Sequence, residues 1–425
     1  MVIYFKLSNF LSIKEPLKLD FLATSISEHT DSNLFNISNQ KLLKSILLYG
    51  HNASGKSKII KGLDFFVSFI LNSATEKNST DPINVTPFLL NSETEDKPSF
   101  FEMNFIIDKS RYRYGFEVDK KEVHKEWLLE SKAQKEYPIF LRIKQEFEIS
   151  DSRFENAADL DKRTRKDALF LSVAAQWNVS KAQMLIEWFS KILVINGIED
   201  RKYRQLTIDL YNSEKNKALL SLFLQKADLS ISDMDIYEVP LNFDEVFKDL
   251  SDPIFEKVKE KYKKDSYKAV VTLHRRFDKN NQSVGIVPFL LDSVESEGTI
   301  KYFNLIGLIV TAILEGRFIV IDELDGRFHT LLSKAILKLF NSSKIKSKSQ
   351  LLAASHDTAL LDKELLRRDQ IYFIEKDNFG ASKATSLVEY KPRKESPYDK
   401  NYLEGKYGAI PFLGDIEKIL SNVSN

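Results

Sequence analysis

Eight residues, Gly50–Ser57, place two glycines, a lysine and a hydroxyl side chain at a spacing that suits phosphate binding. The glycines let main-chain N–H groups approach an anion closely, because no Cβ stands in the way. Lys56 can reach the terminal phosphates of a nucleotide, and the Ser57 hydroxyl can bind Mg²⁺. A helix that begins here would point the positive end of its dipole at the same anion. We therefore predict nucleotide contacts at Gly50, Asn52, Ala53, Ser54, Gly55, Lys56, Ser57 and Lys58.

Two adjacent carboxylates, Asp322 and Glu323, follow Arg317–Ile321, which is apolar after its arginine and has the composition of a buried strand. Ligands bind at the carboxyl ends of the strands in parallel sheets. We expect Asp322 to hold Mg²⁺, directly or through water, and Glu323 to act as the general base on an attacking water. A solvated acidic turn is the alternative for the pair alone. The phosphate-binding loop upstream favours the catalytic interpretation.

A histidine and a serine–glycine pair complete the candidate site. His356 ends another apolar strand-like segment, where an imidazole can touch a terminal phosphate, although a single histidine is more often structural. Ser296 and Gly298 open a predicted helix, in which Ser296 suits the N-cap and Gly298 leaves room for close approach. Such a helix start can bind an anion, and an ordinary helix cap is the alternative.

The elements that must position these residues can be predicted from hydrophobic periodicity. Ser45–Tyr49 is an apolar strand that leads into the loop, and Lys56–Asn72 has apolar residues at helical spacing. Alternation predicts further strands at Val2–Leu7 and Leu17–Phe21, and an antiparallel meander at Phe100–Ile107, Tyr112–Val118 and Val123–Leu129. After Tyr267, strands alternate with helices, which is typical of parallel α/β units.

The predicted fold class is an α/β nucleotide-binding domain with a phosphate loop, an antiparallel β lobe and an inserted, mostly helical region. Residues 1–130 form its first lobe, and residues 131–265 form the insertion. Residues 266–425 form the second lobe, which carries the serine–glycine helix, the acidic pair and His356.

Composition narrows the class of protein. Aliphatic and aromatic residues make up 43% of the chain, enough for a sizeable core, and 62 basic residues nearly balance 61 acidic ones. A net charge of +1 argues against a wholly basic nucleic-acid coat protein but leaves room for a local basic patch. The absence of cysteine excludes disulfides and thiolate sites and fits a reducing compartment. The N-terminus has no signal-peptide pattern, and the apolar run Phe303–Leu314 is too short to span a bilayer, so we expect a soluble, cytoplasmic protein.

The order of these motifs resembles the ABC-type ATPase heads of the Rad50/RecF/OLD kind. More narrowly, five segments resemble the AAA-type ABC ATPases of bacterial abortive-infection and other phage-defence loci, relatives of the PARIS and Septu ATPase subunits. These segments are Glu295–Thr299, Ile321–Asp325, Arg368–Tyr372, Glu375–Lys376 and Tyr402–Pro411. The resemblance covers about residues 1–130 and 265–412.

The resemblance implies an ATP- and Mg²⁺-dependent head-to-tail dimer. Ser296 and Gly298 of one subunit would close on the nucleotide of the other, and Asp325 would lie at the dimer seam. The Ser-Glu-Gly-Thr stretch is a reduced form of the family's Leu-Ser-Gly-Gly-Gln, and His329-Thr330 replaces the usual His-Pro. No residue could be assigned to the family's Mg²⁺-contacting glutamine.

Three functions remain open at this point. The first is a defence ATPase that dimerises or forms a higher homo-oligomer around ATP, responds to a phage trigger protein and controls a co-encoded nuclease or toxin effector. Only 49 residues follow Lys376, too few for an appended nuclease domain. The second is a DNA-maintenance clamp of Rad50/RecF type. Two basic clusters, His274–Arg276 and Lys391–Lys394, could meet nucleic acid, although such clusters are more often solvated. The third is a scaffold in which the nucleotide is structural, and the intact Glu323 argues against it.

Overall fold

The computed structural model describes residues 1–37, 40–75, 81–132, 135–226, 230–240, 266–393 and 395–410. The sequence also favours a charged helical stretch at Phe243–Lys264, which lies outside the described residues. Lys394 of the second basic cluster and Pro411 of the segment Tyr402–Pro411, which we call the C-terminal motif, lie outside them as well.

The strands are β1 Val2–Ser8, β2 Leu17–Asp20, β3 Leu34–Ile37, β4 Gln40–Leu43, β5 Ser45–Tyr49, β6 Ser99–Ile107, β7 Ser110–Val118, β8 Val123–Lys132, β9 Lys135–Ile143, β10 Glu146–Ile149, β11 Leu193–Asn196, β12 Asp233–Pro240, β13 Ser266–Phe277, β14 Ser283–Leu290, β15 Phe318–Asp322, β16 Gln350–Ala354, β17 Ile371–Lys376 and β18 Ser382–Ser386. The α-helices are α1 Lys56–Asn72, α2 Phe170–Gln176, α3 Ser180–Ser190, α4 Arg204–Tyr211, α5 Glu214–Lys226, α6 Leu291–Val294, α7 Glu297–Glu315, α8 Thr330–Phe340 and α9 Tyr398–Leu403.

The chain forms two compact units. The first contains residues 1–198, 311–326 and 330–425, and the second contains residues 199–310 and 327–329. These bounds differ from the predicted insertion at 131–265. Its first part instead continues the meander, since β9 pairs with β8 and β10 pairs with β9 in the antiparallel sheet of the first unit. Alternation in this charged segment is too weak to show a half-exposed edge strand from sequence.

A six-stranded sheet in the first unit carries the residues that could do chemistry. Its order is β11-β15-β16-β5-β17-β18, and all neighbouring pairs are parallel except β17 and β18. Strand β5 and strand β16 are buried along their whole length, as expected for central strands with both faces covered. The strand that ends near His356 therefore lies between the strand that enters the loop and the strand that carries Asp322.

A seven-stranded antiparallel sheet forms the β lobe of the same unit, in the order β10-β9-β8-β7-β6-β1-β2. Helix α1 packs its apolar face against this sheet. The Phe66 ring lies 5.6 Å from Phe5 of β1 and 5.4 Å from Phe116 of β7. Aromatic packing of this kind buries large areas and fixes ring geometry. The β lobe thus fixes the helix that begins at the loop, and the predicted fold class, an α/β domain with an antiparallel β lobe, is confirmed.

The second unit contains helices α4 to α6, most of α7, and a three-stranded antiparallel sheet in the order β12-β13-β14. Helix α7 is longer than the apolar run Phe303–Leu314 seen in the sequence, because polar residues at both ends are also helical. By length and composition α7 could cross a membrane, but 83% of its apolar window is buried inside the protein. That degree of burial is typical of a core helix.

Candidate nucleotide site

The loop Gly50–Ser57 connects β5 to α1 at the carboxyl end of the parallel sheet. Strand β5 ends at Tyr49, and α1 begins at Lys56, as the sequence predicts. Gly55 occupies the position before the helix with a left-handed backbone, φ 118°. The first turn of α1 therefore directs its free N–H groups toward the loop, which is the arrangement that binds anions.

Both glycines of the loop are required by close packing inside the chain. A Cβ at Gly55 would lie 2.2 Å from the Ser382 hydroxyl, and a Cβ at Gly50 would lie 2.3 Å from the Ile374 carbonyl oxygen. Ala53 adopts a left-handed φ of 63°. The sequence assigned the glycines to phosphate approach, and the structure adds that strands β17 and β18 leave no room for a side chain there.

Lys56 folds back onto its own loop. Its ammonium group donates to the Gly50 carbonyl at 2.7 Å and to the His51 carbonyl at 3.3 Å. Burial lowers the pKa of Lys56 to about 8, and attraction to Asp322, Asp325 and Glu323 opposes that shift only in part. The three carboxylates are therefore close enough to act on the ammonium group, which places loop and acidic residues in one electrostatic site.

Asp322 ends β15, and its Oδ1 atom is buried without a hydrogen-bond partner. A buried carboxylate oxygen normally has a partner, so this atom needs a cation or a water. The residues present fit a magnesium ion, which prefers oxygen ligands and keeps several from water or phosphate. Ser57 and Asp322 would hold it. Among the residues that the structure describes, no group of three or more His, Asp or Glu side chains forms a metal cage.

Glu323 has a left-handed backbone, φ 54°, directly after the strand. Strained conformations of this kind cost roughly 1–3 kcal/mol and cluster at functional sites. The backbone of Gly197 packs against this turn, and a Cβ there would lie 2.4 Å from the Asp322 carbonyl oxygen. Gly197 also donates its N–H to that oxygen at 2.8 Å. Sequence reasoning missed Gly197. Its position directly after the short strand β11 is the one sequence feature that could have indicated this contact.

His356 and Asp325 are joined in the same unit. The main-chain N–H of His356 donates to Asp325 Oδ2 at 3.0 Å, while Asp325 Oδ1 is buried without a hydrogen-bond partner. Partial burial and the nearby Lys56 lower the pKa of His356, so its imidazole is neutral at neutral pH. Asp325 therefore has an observed role within the chain, and its place at a dimer seam stays a prediction.

The second unit contains Ser296 and Gly298. The Ser296 hydroxyl accepts the Thr299 N–H at 3.2 Å, so Ser296 caps α7 as predicted. A Cβ at Gly298 would lie 2.9 Å from the Arg327 carbonyl oxygen. This close approach is enough to explain why a glycine occupies position 298, and no bound ligand is needed to explain it. Action of the two residues on a second subunit's nucleotide stays a prediction.

Two serines that sequence reasoning missed support the loop. The Ser382 hydroxyl donates to the Ser54 carbonyl at 2.7 Å and lies 2.8 Å from the Ser12 hydroxyl. Ser382 also donates its N–H to the Ser12 carbonyl at 2.7 Å. More than 300 residues separate Ser382 from the loop in sequence, so no local pattern could have indicated this contact.

Comparison with known proteins places this geometry in a family. Residues 45–362, which are 318 of the 425, match the model of a family described as "AAA domain, putative AbiEii toxin, Type IV TA system". A search of curated proteins found no match.

Similar solved structures have low identity to the chain. An SMC head bound to the C-winged helix domain of ScpA has 14% identity and a TM-score of 0.44, covering 91% of this chain and 99% of that chain. The SMC head domain from Thermotoga maritima has 12% identity and a TM-score of 0.40, covering 91% and 98%. The recombination mediator protein RecF-ATPrS in the RecFOR pathway has 14% identity and a TM-score of 0.30, covering 91% and 98%.

The family match spans the loop Gly50–Ser57, the acidic pair Asp322–Glu323 and His356. These residues lie at the ends of strands β5, β15 and β16, which are neighbours in the sheet. The chain therefore belongs to the family of AAA domains described as putative AbiEii toxin of type IV toxin–antitoxin systems.

Proposed function

We propose that this protein is a Mg²⁺-dependent ATPase that hydrolyses ATP to ADP and phosphate. One observation carries the proposal. The loop that follows β5 and the acidic pair at the end of β15 lie at the carboxyl edge of one parallel sheet, in which β16 pairs with both strands. Phosphoryl transfer to water needs little beyond this positioning and stabilisation of charge.

Each residue of the site has a distinct task in the proposal. Lys56 leaves the carbonyls of its loop to bind the terminal phosphates. Asp322 and Ser57 hold magnesium, which neutralises phosphate charge when bound. Glu323 takes a proton from the attacking water, and its left-handed backbone fixes the direction of its side chain from the strand end. Neutral His356 can donate an N–H to the terminal phosphate.

Closure of two subunits around ATP is the next step of the proposal. The capped start of α7 offers free N–H groups and the positive end of a 19-residue helix dipole. In a head-to-tail dimer, Ser296 and Gly298 would bring this helix end to the partner's nucleotide. Both the ATP-bound dimer and higher homo-oligomers fit this arrangement.

At the level of the cell, we propose a cytoplasmic regulator of antiviral defence by abortive infection. In this role the ATP-bound assembly responds to a phage component and controls a separate nuclease or toxin effector. The family description, with its reference to a toxin and a type IV toxin–antitoxin system, supports this proposal.

The direct test is phosphate release by purified protein with ATP, with and without Mg²⁺. Glu323→Gln should lower the rate at least about 100-fold, because a positioned general base contributes about 10²–10⁴-fold. Glu315→Gln is the matched control, since Glu315 is an exposed carboxylate paired with Arg317. Removing Mg²⁺ with a chelator should stop turnover by the wild type.

The outcomes separate catalysis from simple binding. Wild-type turnover in Glu323→Gln would exclude Glu323 as the base. Nucleotide binding without any turnover by the wild type would instead support the scaffold role.

A DNA-maintenance clamp is the second candidate. Arg275 and Arg276 of β13 are exposed, whereas the neighbouring His274 lies 2.7 Å from Glu295. Exposed arginines can bind the phosphate backbone of nucleic acid. This role predicts ATP-dependent DNA binding that falls steeply with salt, since each phosphate contact releases a counterion. Arg275→Ala with Arg276→Ala should reduce the salt slope, and salt-independent or absent binding would reject the clamp.

A further inference from the structure

The C-terminal motif forms a tight turn, Tyr402–Ala409, which we call the C-terminal turn. The chain reverses there through three left-handed residues, Gly405 at φ 76°, Gly408 at φ 63° and Ala409 at φ 57°. Glycine adopts this conformation freely, whereas alanine does so at a cost. A strained alanine persists only where its surroundings hold it, so the contacts of Ala409 are informative.

Aromatic rings fix the C-terminal turn to the strands that carry the loop. Phe373 of β17 stacks with Tyr402 at 5.3 Å and with Tyr407 at 5.1 Å between ring centroids. Tyr49, the last residue of β5, meets Tyr402 edge-on at 6.1 Å. The side chains of these four residues are buried. The rings of Tyr402 and Tyr407 thus attach the turn to β5 and β17.

The carbonyl of Ala409 makes two hydrogen bonds. It accepts the His51 N–H at 2.9 Å and the Tyr402 hydroxyl at 3.0 Å. His51 is the second residue of the loop, and its own carbonyl accepts from Ser54 N at 3.2 Å and from Lys56 Nζ at 3.3 Å. His51 therefore binds the C-terminal turn through its main-chain N–H. Through its main-chain carbonyl it binds Ser54 and Lys56 of the loop.

We propose that Tyr402 and Ala409 are positioning residues for ATP binding. The proposal rests on the proposed ATPase function. When Lys56 leaves the His51 carbonyl to meet phosphate, the loop loses one of its internal contacts. The bond from His51 to Ala409 then keeps the loop open in its binding shape, and the Tyr402 hydroxyl holds the Ala409 carbonyl in the strained direction that this bond requires.

Two tyrosines in the turn provide a matched pair of variants. Tyr402→Phe keeps the ring stacked on Phe373 but removes the hydroxyl from the Ala409 carbonyl. Tyr407→Phe keeps the second stacked ring and removes a hydroxyl that accepts only from Asn401 Nδ2, at 3.0 Å, in the described part of the chain. Each substitution removes one tyrosine hydroxyl from the C-terminal turn. Only Tyr402→Phe removes a hydrogen bond to the Ala409 carbonyl, which binds His51.

The experiment measures the KM for ATP, kcat, and the affinity for a fluorescent ATP analogue in the full-length protein. Tyr402→Phe should raise KM and weaken analogue binding about three- to tenfold, the loss expected for one hydrogen bond, with kcat almost unchanged. Tyr407→Phe should leave both constants within about twofold of the wild type. Equal effects of the two variants, or a fall in kcat with unchanged KM, would overturn the proposal.

A backbone variant covers the case in which Tyr402→Phe fails to fold. Ala409→Val places a β-branched residue at a positive φ, which such residues strongly avoid, and so displaces the carbonyl. It should also raise KM, and an unchanged KM in a folded variant would count against the anchor. If the wild type binds and hydrolyses ATP while Tyr402→Phe matches it, only this inference fails. If the wild type does neither, the proposed function fails as well.

Discussion

Lys56 shows at the scale of a single residue how the site balances opposing charges. Its lowered pKa means that burial disfavours the ammonium group more than the three neighbouring carboxylates favour it. Burial of the charged lysine is therefore unfavourable in the ligand-free protein. It becomes favourable only when phosphate supplies further negative charge, so binding rather than folding explains its presence.

Replacing Lys56 should separate stability from nucleotide binding. Lys56→Met keeps much of the side-chain volume but removes the charge and its hydrogen bonds to the Gly50 and His51 carbonyls. Relief of the buried charge offsets the lost hydrogen bonds, so the ligand-free variant should unfold near the wild-type temperature. ATP should no longer raise that temperature, whereas saturation of the wild type at about 100 times Kd adds about 2.7 kcal/mol. Thermal unfolding with and without ATP measures both effects.

The control for this variant is Lys61→Met on the exposed face of the same helix, which should keep the stabilisation by ATP. A large loss of stability in ligand-free Lys56→Met would show that the hydrogen bonds of Lys56 and its attraction to the carboxylates together outweigh the cost of burial. Retained stabilisation by ATP would remove Lys56 from the binding site.

At the scale of elements, a buried ion pair links the antiparallel sheet to the helices around α1. Glu126 of β8 accepts the Phe170 N–H at 2.6 Å and the Leu171 N–H at 3.0 Å, at the start of α2. Arg142 of β9 lies 3.3 Å from the same carboxylate, and both side chains are fully buried. A carboxylate at a helix N-terminus satisfies N–H groups that the helix leaves free.

Removing this carboxylate should destabilise the first unit. Glu126→Ala leaves the Arg142 charge and two N–H groups without their partner, and loss of one member of a buried pair costs about 3–5 kcal/mol. Glu136→Ala is the control, because Glu136 makes a partly exposed pair with Arg113, worth about 0–1 kcal/mol. Urea unfolding of the three proteins measures the difference, and equal midpoints would show that water replaces the lost carboxylate.

At the scale of the whole molecule, the residues of the proposed function are divided between the two compact units. The first unit contains the loop and the acidic pair, and the second contains the capped start of α7. If α7 acts on the nucleotide of a second subunit, the assembly state must depend on ATP.

Light scattering tests this dependence. Glu323→Gln should shift to a species of about twice the mass with ATP and Mg²⁺, because it binds the nucleotide but hydrolyses it slowly. The double variant Glu323→Gln with Lys56→Met is the control and should not shift. A monomer under every condition would reject the action of Ser296 and Gly298 in trans, while a shift without ATP would separate assembly from the nucleotide.

Local patterns determined a large part of this architecture. Helix α1 and strand β5 have the bounds predicted from the sequence. Their hydrophobic periodicity is strong, and each is bounded by a clear signal such as a glycine or a run of polar residues. The loop and the acidic pair could also be recognised as candidate binding residues from the sequence, because phosphate and magnesium chemistry restricts which side chains can serve at each position.

Only the tertiary structure decided which distant residues hold the site in place. Gly197, Ser382 and Ala409 contact the acidic turn and the loop from strands and turns that lie far from them in sequence. The limits of the insertion were decided in the same way, since β9 becomes a strand by pairing with β8, and β10 by pairing with β9. Such contacts depend on sheet order and on close backbone approach, which short-range periodicity does not encode. The sequence alone thus determined which residue types are available for the proposed chemistry, and the packing of remote segments determined how those residues are held.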